Sequence, residues 1–414
     1  MLVLLALTGC AKSRVLGRSL GYRTLDVVRE APDLYEPDAA AMQAFAPDEE
    51  FRRAFVSTLS KSARSLGRES VALNCVASVL AEAMMEDRFR PSVALRRWVA
   101  WRCGSTTPNL GFRFQYNVCR SSWDCERALD DGLEGLSQSL NHHHLSFNYG
   151  ITRRRRGQIH MQVAVSAGRE VLLRESGLKR RYLPGEEIKL ALRPLGGATP
   201  LKAFMDGGSG QVNVYDMPET SSPDWVVRHR LPSKPGRYFV EVSTASRATE
   251  GGRAWGRELL LFPVYVGIDE PESPEVTVSG FAANPSGDVA WSQWLKARYD
   301  EERVRAGLPP LTLDEKIVGL ASARALLSAE TDDLPMDDAL SLKLARVGVQ
   351  TRRWWQLHGE FEFLSDYLAS RLDQPSVRRA ITDGEVRRYG VGFAPRTSPD
   401  GQDSMFSVVE YLTQ

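Results

Sequence analysis

The feature that most constrains this chain is an internal repeat. Residues 77–104 align without a gap with residues 321–348, and both segments show a helical pattern, a proline, a second helical pattern and a final glycine. Proline starts the second helix and glycine permits a left-handed cap at its end. The aligned identities are Ala77 with Ala321, Pro91 with Pro335, Arg102 with Arg346, and Gly104 with Gly348. The pattern therefore predicts one helical pair that occurs twice.

A second correspondence extends the repeat toward the carboxyl side. Tyr149-Gly150 matches Tyr389-Gly390, and a hairpin pattern follows each pair. An α+β unit of about 130 residues is therefore predicted twice, over residues 40–168 and 285–414. The run of four arginines at 153–156 is then interpreted as the tip of a β-hairpin. A patch that binds nucleic acid or lipid is the alternative for this run.

The region between the two units changes its hydrophobic period. Short segments of alternating apolar and polar residues recur across residues 169–267, and Pro-Gly pairs mark turns between them. About six strands at this spacing are typical of an immunoglobulin-like β-sandwich. The segment "DGGSGQ" at 206–211 lacks a following helix and is interpreted as a hairpin loop. Residues 268–284, rich in proline, are interpreted as a linker.

The amino terminus has the features of an export signal. The apolar run "MLVLLALTGC" ends in small residues before Cys10, which resembles the end of a bacterial lipoprotein signal over residues 1–10. The alternative is a start codon that precedes a buried strand, and no lysine or arginine stands before the apolar run. With lipidation at Cys10 and a tether over residues 11–39, we expect a lipid-anchored protein of the cell envelope. Ala11 favours the outer membrane, facing the periplasm or the cell surface.

The overall composition favours neither a nucleic-acid-binding protein nor a protein with a membrane-spanning helix. The net charge is +1, whereas a nucleic-acid partner would require a basic face. No internal apolar run reaches the length of about 18 residues that a membrane helix needs. The apolar fraction of 43% is sufficient for compact cores.

Four further cysteines lie close together in the first unit. An exported location permits disulfides, and four cysteines allow three pairings. The short spacing in "CRSSWDC" favours Cys119–Cys125, which leaves Cys75–Cys103. The alternative is that Cys75 and Cys103 are buried free thiols, because both lie in apolar helical patterns.

The start of the last unit resembles a known family. The segment "DEERVRAGLPPLTLDEKIVGLASARA" at 300–325 is similar to the opening of the CAP superfamily, the SCP-like domain of cysteine-rich secretory, antigen and pathogenesis-related proteins. The matching residues are Arg303, Gly307, Leu308, Pro310 and Leu311, followed by Asp314, Ile317 and Ala321, whereas Asp300 replaces an asparagine. "QPSVRRAI" and "YGVGF" match later motifs. The resemblance implies two three-layer α-β-α units that flank the sandwich, in an α+β fold.

The resemblance also implies a metal site, which this sequence does not complete. Many members bind a divalent metal through two histidines and two glutamates. Val377 occupies the position of the second histidine, and Arg378 follows it as in the family. Glu360 matches one glutamate, and Phe361 replaces the asparagine that follows. The first histidine is absent, so we expect no metal and no cofactor in this degenerate cleft.

Other combinations of polar residues point to chemistry only weakly. His358, Glu360 and Glu362 alternate along a predicted strand and share one face. Three ligands along one edge do not by themselves close a tetrahedral zinc site, so a polar strand face is the preferred interpretation. The cluster His142–His144 is interpreted as a solvated loop, and a transition-metal site is the alternative. Trp354 and Trp355 could stack on sugar rings or a partner, although one of two such residues usually packs in a core.

Two hypotheses about function follow from different classes. The first is a non-enzymatic envelope lipoprotein that binds a protein, glycan or lipid through its degenerate units and sandwich. The second is an envelope hydrolase, a peptidase or glycan-cleaving enzyme, with Glu360 and neighbouring carboxylates as acid and base. No G-x-S-x-G motif occurs. We favour the first hypothesis.

Overall fold

The computed structural model of the 414-residue chain places most of the two units and of the region between them. It describes residues 32–37, 42–62, 67–87, 91, 93–107, 109–118, 133, 147–174, 178–195, 201–208, 210–218, 224–244, 248–249, 252–254, 258–271, 288–330, 339–361, 364–397 and 404–414. Within these ranges no helix is both long and apolar enough to cross a membrane. Cys10, Cys119, Cys125, His142–His144, Pro335 and Glu362 lie outside these ranges.

The first unit consists of helices on both faces of a four-stranded sheet. Its helices are Gln43–Phe45 (3-10), Glu49–Ser62, Val71–Asp87 and Val93–Arg102, and its strands are β1 (Arg68–Glu69), β2 (Leu110–Val118), β3 (Phe147–Arg156) and β4 (Ile159–Gly168). Along β4 successive side chains enter different cores. Val163 and Val165 pack with Val71–Asp87 and Val93–Arg102, and Ala164 packs with Glu49–Ser62. Both faces of this sheet are therefore covered.

Two sheets lie between the units. Their strands are β5 (Val171–Leu173), β6 (Arg181–Tyr182), β7 (Glu187–Pro194), β8 (Leu201–Gly208), β9 (Gln211–Asp216), β10 (Trp225–Arg230), β11 (Gly236–Thr244) and β14 (Glu258–Val266). The sheets have the orders β10-β7-β5 and β6-β14-β11-β8-β9. They enclose one apolar core, which also contains Tyr35 and Trp101. Residues 32–37, assigned to the tether from the sequence, therefore pack on this region.

The last unit repeats the plan of the first. Its helices are Asp288–Arg305, Glu315–Glu330, Leu340–Arg346, Leu364–Leu372 and Pro375–Ile381, and its strands are β15 (Thr312–Leu313), β16 (Trp354–Phe361), β17 (Arg388–Thr397) and β18 (Ser404–Thr413). Trp354 packs with the helix Glu315–Glu330, whereas Trp355 packs with Asp288–Arg305 on the opposite face. Both tryptophans are buried, so neither offers its ring to a sugar.

The strand order confirms that the repeat is structural. The first sheet has the order β1-β3-β4-β2, and the corresponding strands of the last sheet have the order β15-β17-β18-β16. In both units the first strand pairs in parallel and the other pairs are antiparallel. The register agrees as well, because Glu69 faces Tyr149 and Leu313 faces Tyr389.

The two Tyr-Gly pairs perform the same task in the two units. A Cβ added to Gly150 would lie 2.0 Å from the backbone of Leu73, and one added to Gly390 would lie 2.5 Å from the backbone of Val318. Both glycines therefore let a strand contact the helix that follows the first strand of its unit.

The helix ends also agree. Gly104 and Gly348 have φ values of 81° and 79°. Each donates its N–H to the carbonyl three residues earlier, and the next residue donates to the carbonyl five residues earlier. Both helices therefore end in the same left-handed turn, as the glycine pattern predicted.

Two local predictions are confirmed in the described residues. Cys75 and Cys103 form a disulfide with a Cα–Cα distance of 5.8 Å. The arginine run 153–156 ends β3 at a hairpin whose turn contains Gly157. Arg153 forms an ion pair with Asp48.

One connection was not predicted. A small hairpin of β12 (Ala248–Thr249) and β13 (Gly252–Ala254) leaves the central region, and β13 pairs in parallel with β16. The last sheet consequently has six strands, in the order β12-β13-β16-β18-β17-β15. The chain is an α+β protein with several sheets, and its last unit is completed by strands from outside its predicted boundary.

Candidate functional site

The position at which the resemblance implies a histidine is part of an apolar core. Val377 lies on the helix Pro375–Ile381, is 1% exposed, and packs with Leu295, Tyr299 and Leu357. Arg378 points the other way and forms an ion pair with Asp206 of the central region, with 2.7 Å between Nη2 and Oδ2. This segment holds two parts of the chain together.

His358 is held by hydroxyl groups inside the last unit. Its Nε2 lies 2.7 Å from Ser328 Oγ and 3.5 Å from Ser407 Oγ. Burial, with nearby arginines, lowers the pKa of His358 to about 4. The imidazole is therefore neutral near pH 7. Glu360 lies on the same strand, so the structure describes its backbone position, and His358 is the one member of the predicted group whose contacts are described.

The contact between Ser328 and His358 has the spacing of a nucleophile and its base. However, Ser328 and Ser407 are almost completely buried, and Ser407 Oγ donates a hydrogen bond to Ser328 Oγ at 2.6 Å. A substrate carbonyl would have to reach Ser328 through the packed interior between the helix Glu315–Glu330 and β18. The described geometry is that of a satisfied core histidine.

A buried carboxylate lies at the centre of the opposite face of this sheet. Glu410 is fully buried on β18 and accepts hydrogen bonds from Tyr299 at 3.1 Å, from Tyr389 at 2.6 Å and from Tyr367. Arg371 Nε is 3.8 Å from it. Burial, reinforced by this carboxylate, raises the pKa of Tyr299 and Tyr389 well above the usual range, which keeps these phenols as donors. The cluster joins the sheet to two helices.

The residues that carry the family resemblance fix the carboxyl end of the helix Asp288–Arg305. Arg303 is fully buried and donates hydrogen bonds to the carbonyls of Pro309, Ile381 and Val386, at 2.7, 2.6 and 3.0 Å. Asp300 accepts a hydrogen bond from the N–H of Leu311 at 2.8 Å. The "R…GL…L" pattern therefore connects the first helix of the unit to its last helix.

One cavity, which is partly open to solvent, lies in the first unit, away from the predicted cleft of the last unit. Its volume is about 410 Å³, within the range of small-molecule sites. One wall is mainly apolar and the other carries charged and amide groups; the lining residues are Met42, Gln43, Phe45, Ala46, Pro47, Glu49, Arg52, Glu69, Val71 and Asn74.

The polar wall of the cavity is ordered by its own hydrogen bonds. Glu69 accepts from Arg52 Nε at 2.7 Å and from Asn74 Nδ2 at 2.8 Å. Asn74 Oδ1 accepts the N–H of Ile151 at 2.8 Å. The side chains of Arg52, Glu69 and Asn74 thus have fixed directions. Within the described ranges no three histidine, cysteine or acidic side chains are arranged to hold a metal ion, in this cavity or elsewhere.

Sequence reasoning missed the cavity and the Glu410 cluster. The available signal for Glu410 was a single acidic residue within the apolar strand "SVVEYL". The polar wall has no comparable signal, because Arg52, Glu69 and Asn74 come from three separate elements. Glu69 lies on a strand of two residues that local pattern does not reveal.

Comparison with known proteins gave matches among solved structures. No protein-family model matches the chain, and no curated protein sequence matches it. An outer surface protein of Borrelia burgdorferi is 15% identical, with a TM-score of 0.25, and the match covers 30% of this chain and 91% of that one.

Two further solved structures carry the family name that the sequence suggested. A cysteine-rich secretory protein of Staphylococcus aureus is 13% identical, with a TM-score of 0.26, and the match covers 64% of this chain and 85% of that one. An extracellular protein of Bacillus anthracis containing an SCP domain is 14% identical, with a TM-score of 0.24, over 55% of this chain and 82% of that one. The repeat itself is established by the strand order and register of this chain.

Proposed function

We propose that this chain is a non-enzymatic lipoprotein of the cell envelope that binds a protein, glycan or lipid ligand. It is built from two CAP-like three-layer units on either side of an immunoglobulin-like sandwich. Support for the location comes from the signal-like segment before Cys10 and from the disulfide Cys75–Cys103, which is typical of exported proteins.

One observation carries the non-enzymatic part of the proposal. The segment 374–378, where the family would place a metal-binding histidine, is used for internal contacts. Val377 is buried in the unit's own core, Ser376 N donates to Glu241 at 2.8 Å, and Arg378 pairs with Asp206. A segment enclosed in this way has no side chain left to present to a substrate.

The cavity of the first unit is the place that we propose for the ligand. Its mixed lining combines apolar surface with a few oriented polar groups, which is the usual composition of a binding site. Ala46 lies on its rim, is exposed, and ends the short helix Gln43–Phe45. A bulky side chain there would fill the cavity without entering a core.

Capture of ligands from detergent-solubilised envelope tests this site. The lipid-free protein, from residue 11 onward, serves as bait beside Ala46→Trp and a control, Val226→Trp, which adds the same ring to an exposed position of β10. We expect the wild type and Val226→Trp to retain the same ligand and Ala46→Trp to lose most of it. Equal retention by all three baits would exclude the cavity.

Lipidation is tested by fractionation. Cys10→Ala should move the protein from the membrane fraction to the soluble fraction, because the acyl chains provide the anchor. Unchanged membrane association of Cys10→Ala would contradict the lipoprotein assignment, provided that the capture experiment finds no membrane-bound ligand that could hold the protein there.

The competing hypothesis is the hydrolase, in which Glu360 and neighbouring carboxylates would act as acid and base. It predicts that Glu360→Gln abolishes hydrolysis of envelope peptides or glycans and that zinc copurifies in stoichiometric amounts. Our proposal predicts no hydrolysis by either protein, well under one equivalent of zinc after dialysis without chelator, and unchanged ligand capture by Glu360→Gln. Stoichiometric zinc that is lost on mutation of His358 or Glu360 would contradict our proposal and support the hydrolase hypothesis.

A further inference from the structure

The three parts of the chain meet at a buried cluster of charged side chains. The central region contributes Glu241 from β11 and Glu258 from β14. The last unit contributes the segment 373–378, and the first unit contributes Arg97 from the helix Val93–Arg102. Gln374 Nε2 donates to Glu258 Oε2 at 2.5 Å, and Arg97 Nη1 donates to the carbonyl of Ser370 at 3.3 Å. We call this cluster the charged junction.

Carboxylates outnumber guanidinium groups in the charged junction. Its members are Asp206, Glu241, Glu258, Asp373 and Glu410 on the acidic side and Arg97, Arg237, Arg371 and Arg378 on the basic side. Arg97 pairs with Glu258, Arg378 with Asp206 and Arg371 with Glu410. With five acids facing four arginines, full ionisation would leave a net negative charge in the interior.

Glu241 is an almost fully buried carboxylate of the charged junction that has no cationic partner in contact within the described ranges. It is 2% exposed, and its Oε2 accepts the backbone N–H of Ser376 at 2.8 Å. Among the residues that the structure describes, it forms no ion pair within 4 Å, whereas its neighbours Asp206 and Glu258 each do. Burial of an unpaired negative charge is unfavourable, and a carboxyl group avoids the cost by binding a proton.

The electrostatic surroundings agree with this geometry. Burial and the neighbouring Glu258 raise the pKa of Glu241 to about 8. Burial also raises the pKa of Glu258 and of Asp373, although arginines oppose the effect at both. Other polar atoms of the charged junction are buried without a hydrogen-bond partner, including Glu258 Oε1 and Arg97 Nε, so the cluster is incompletely satisfied.

We propose that Glu241 carries a proton when the last unit is docked on the central region, and that this proton makes docking tighter at acidic pH than at alkaline pH. The inference does not depend on the ligand proposed above. When the units separate, the carboxyl group meets water and recovers its ordinary pKa of 4.5. Docking is therefore fully favoured below pH 4.5, and it weakens as the pH rises from there through about 8.

Hydrogen exchange of the full chain tests the proposal at the contact itself. The protection factor of the Ser376 amide is measured from pH 5 to pH 9. This factor is the exchange rate expected for the unfolded chain divided by the observed exchange rate at the same pH. One proton linked to docking gives a fall of at most tenfold per pH unit. We expect the fall to extend to about pH 8 and then to stop, and amides of the helix Pro375–Ile381 should follow Ser376.

Glu241→Gln is the decisive variant, because it keeps the shape of the protonated side chain and cannot ionise. Its protection factors at Ser376 should fall less steeply with pH than those of the wild type and should exceed them at pH 9, while the remaining slope belongs to Glu258 and Asp373. Glu187→Gln, at an exposed position of β7, is the control and should behave as the wild type. A wild-type protection factor that is constant from pH 5 to pH 8 would overturn the proposal, and so would an equal slope in Glu241→Gln.

Discussion

The two repeated units share a backbone plan and differ in what covers it. In the first unit the helix Val71–Asp87 is buried along almost all of its length, whereas the corresponding helix Glu315–Glu330 has an exposed side. The first unit faces the central region with Trp101, whose indole N–H donates to Leu261 O at 2.7 Å. The last unit faces it with the segment 374–378. The same fold thus docks on one central region through two different surfaces.

This difference separates the residues that the backbone fold of a unit requires from the residues that contact the central region. Gly150 and Gly390, and Gly104 and Gly348, occupy equivalent positions because the backbone geometry requires them. Side chains on the helices carry no such requirement and follow the surface that each unit contacts. Equivalence of the backbone and divergence of the contacts can be tested separately.

The largest expected effect concerns the glycines that the two units share. Gly150→Ala and Gly390→Ala should each destabilise their own unit by about 4 kcal/mol or more, because the new methyl group meets helix backbone at 2.0 and 2.5 Å. Calorimetric melting of the full chain measures the effect. Gly319→Ala is the control, since its Cβ meets nothing within 4 Å on an exposed helix; it should stabilise by about 0.5–1 kcal/mol. A mild effect at Gly390 alone would break the equivalence of the units.

Removal of the disulfide should lower the stability of the first unit alone, by somewhat less than the glycine substitutions do. It closes a loop with a sequence separation of 28 residues, and the positions that correspond to Cys75 and Cys103 are Gly319 and Val347. Replacing both cysteines by alanine should cost the first unit about 3 kcal/mol. Opening free energies from hydrogen exchange should fall for β3 and β4 and stay unchanged for β17 and β18. An equal loss in both units would mean that they unfold together.

The smallest of the three effects is a pH response confined to the last unit. The pKa of His358 is lowered to about 4 in the folded protein from an ordinary value of 6.5. Stability of the last unit is therefore present above pH 6.5 and is lost as the pH falls toward 4, by at most about 3 kcal/mol. The corresponding strand position in the first unit is Phe114, which cannot titrate. His358→Gln should remove the response, as seen in amide protection of β16, and persistence of the response would assign it to another group.

Local sequence patterns predicted much of the secondary structure and the repeat of this chain. The Tyr-Gly pairs, the helix-ending glycines and the Pro-Gly turns each encode a backbone requirement that a few neighbouring residues satisfy. For this reason the repeat and the hairpin at Gly157 were predicted, together with six of the central strands.

The missed features depend on contacts between distant residues. β13 pairs with a strand about 100 residues later, and Glu241 meets Ser376 at a sequence separation of 135. No periodicity in either segment encodes its partner. β8 was missed for a local reason, since "LKAFMDGG" ends in glycines that favour a loop. Its pairing with β11 and β9 overrides that preference.

The hairpin that β13 forms with β12 has a consequence for the order in which the protein is made. Its partner strand β16 begins at Trp354, so the ribosome must add about 100 residues after Ala254 before the pair can form. At about 5–20 residues per second this interval lasts about 5–20 s. During that time β13 is an open strand edge on a partly finished chain, which is the kind of edge that pairs with other chains. The sheet that contains β13 can therefore be completed only after the chain has been synthesised through β18.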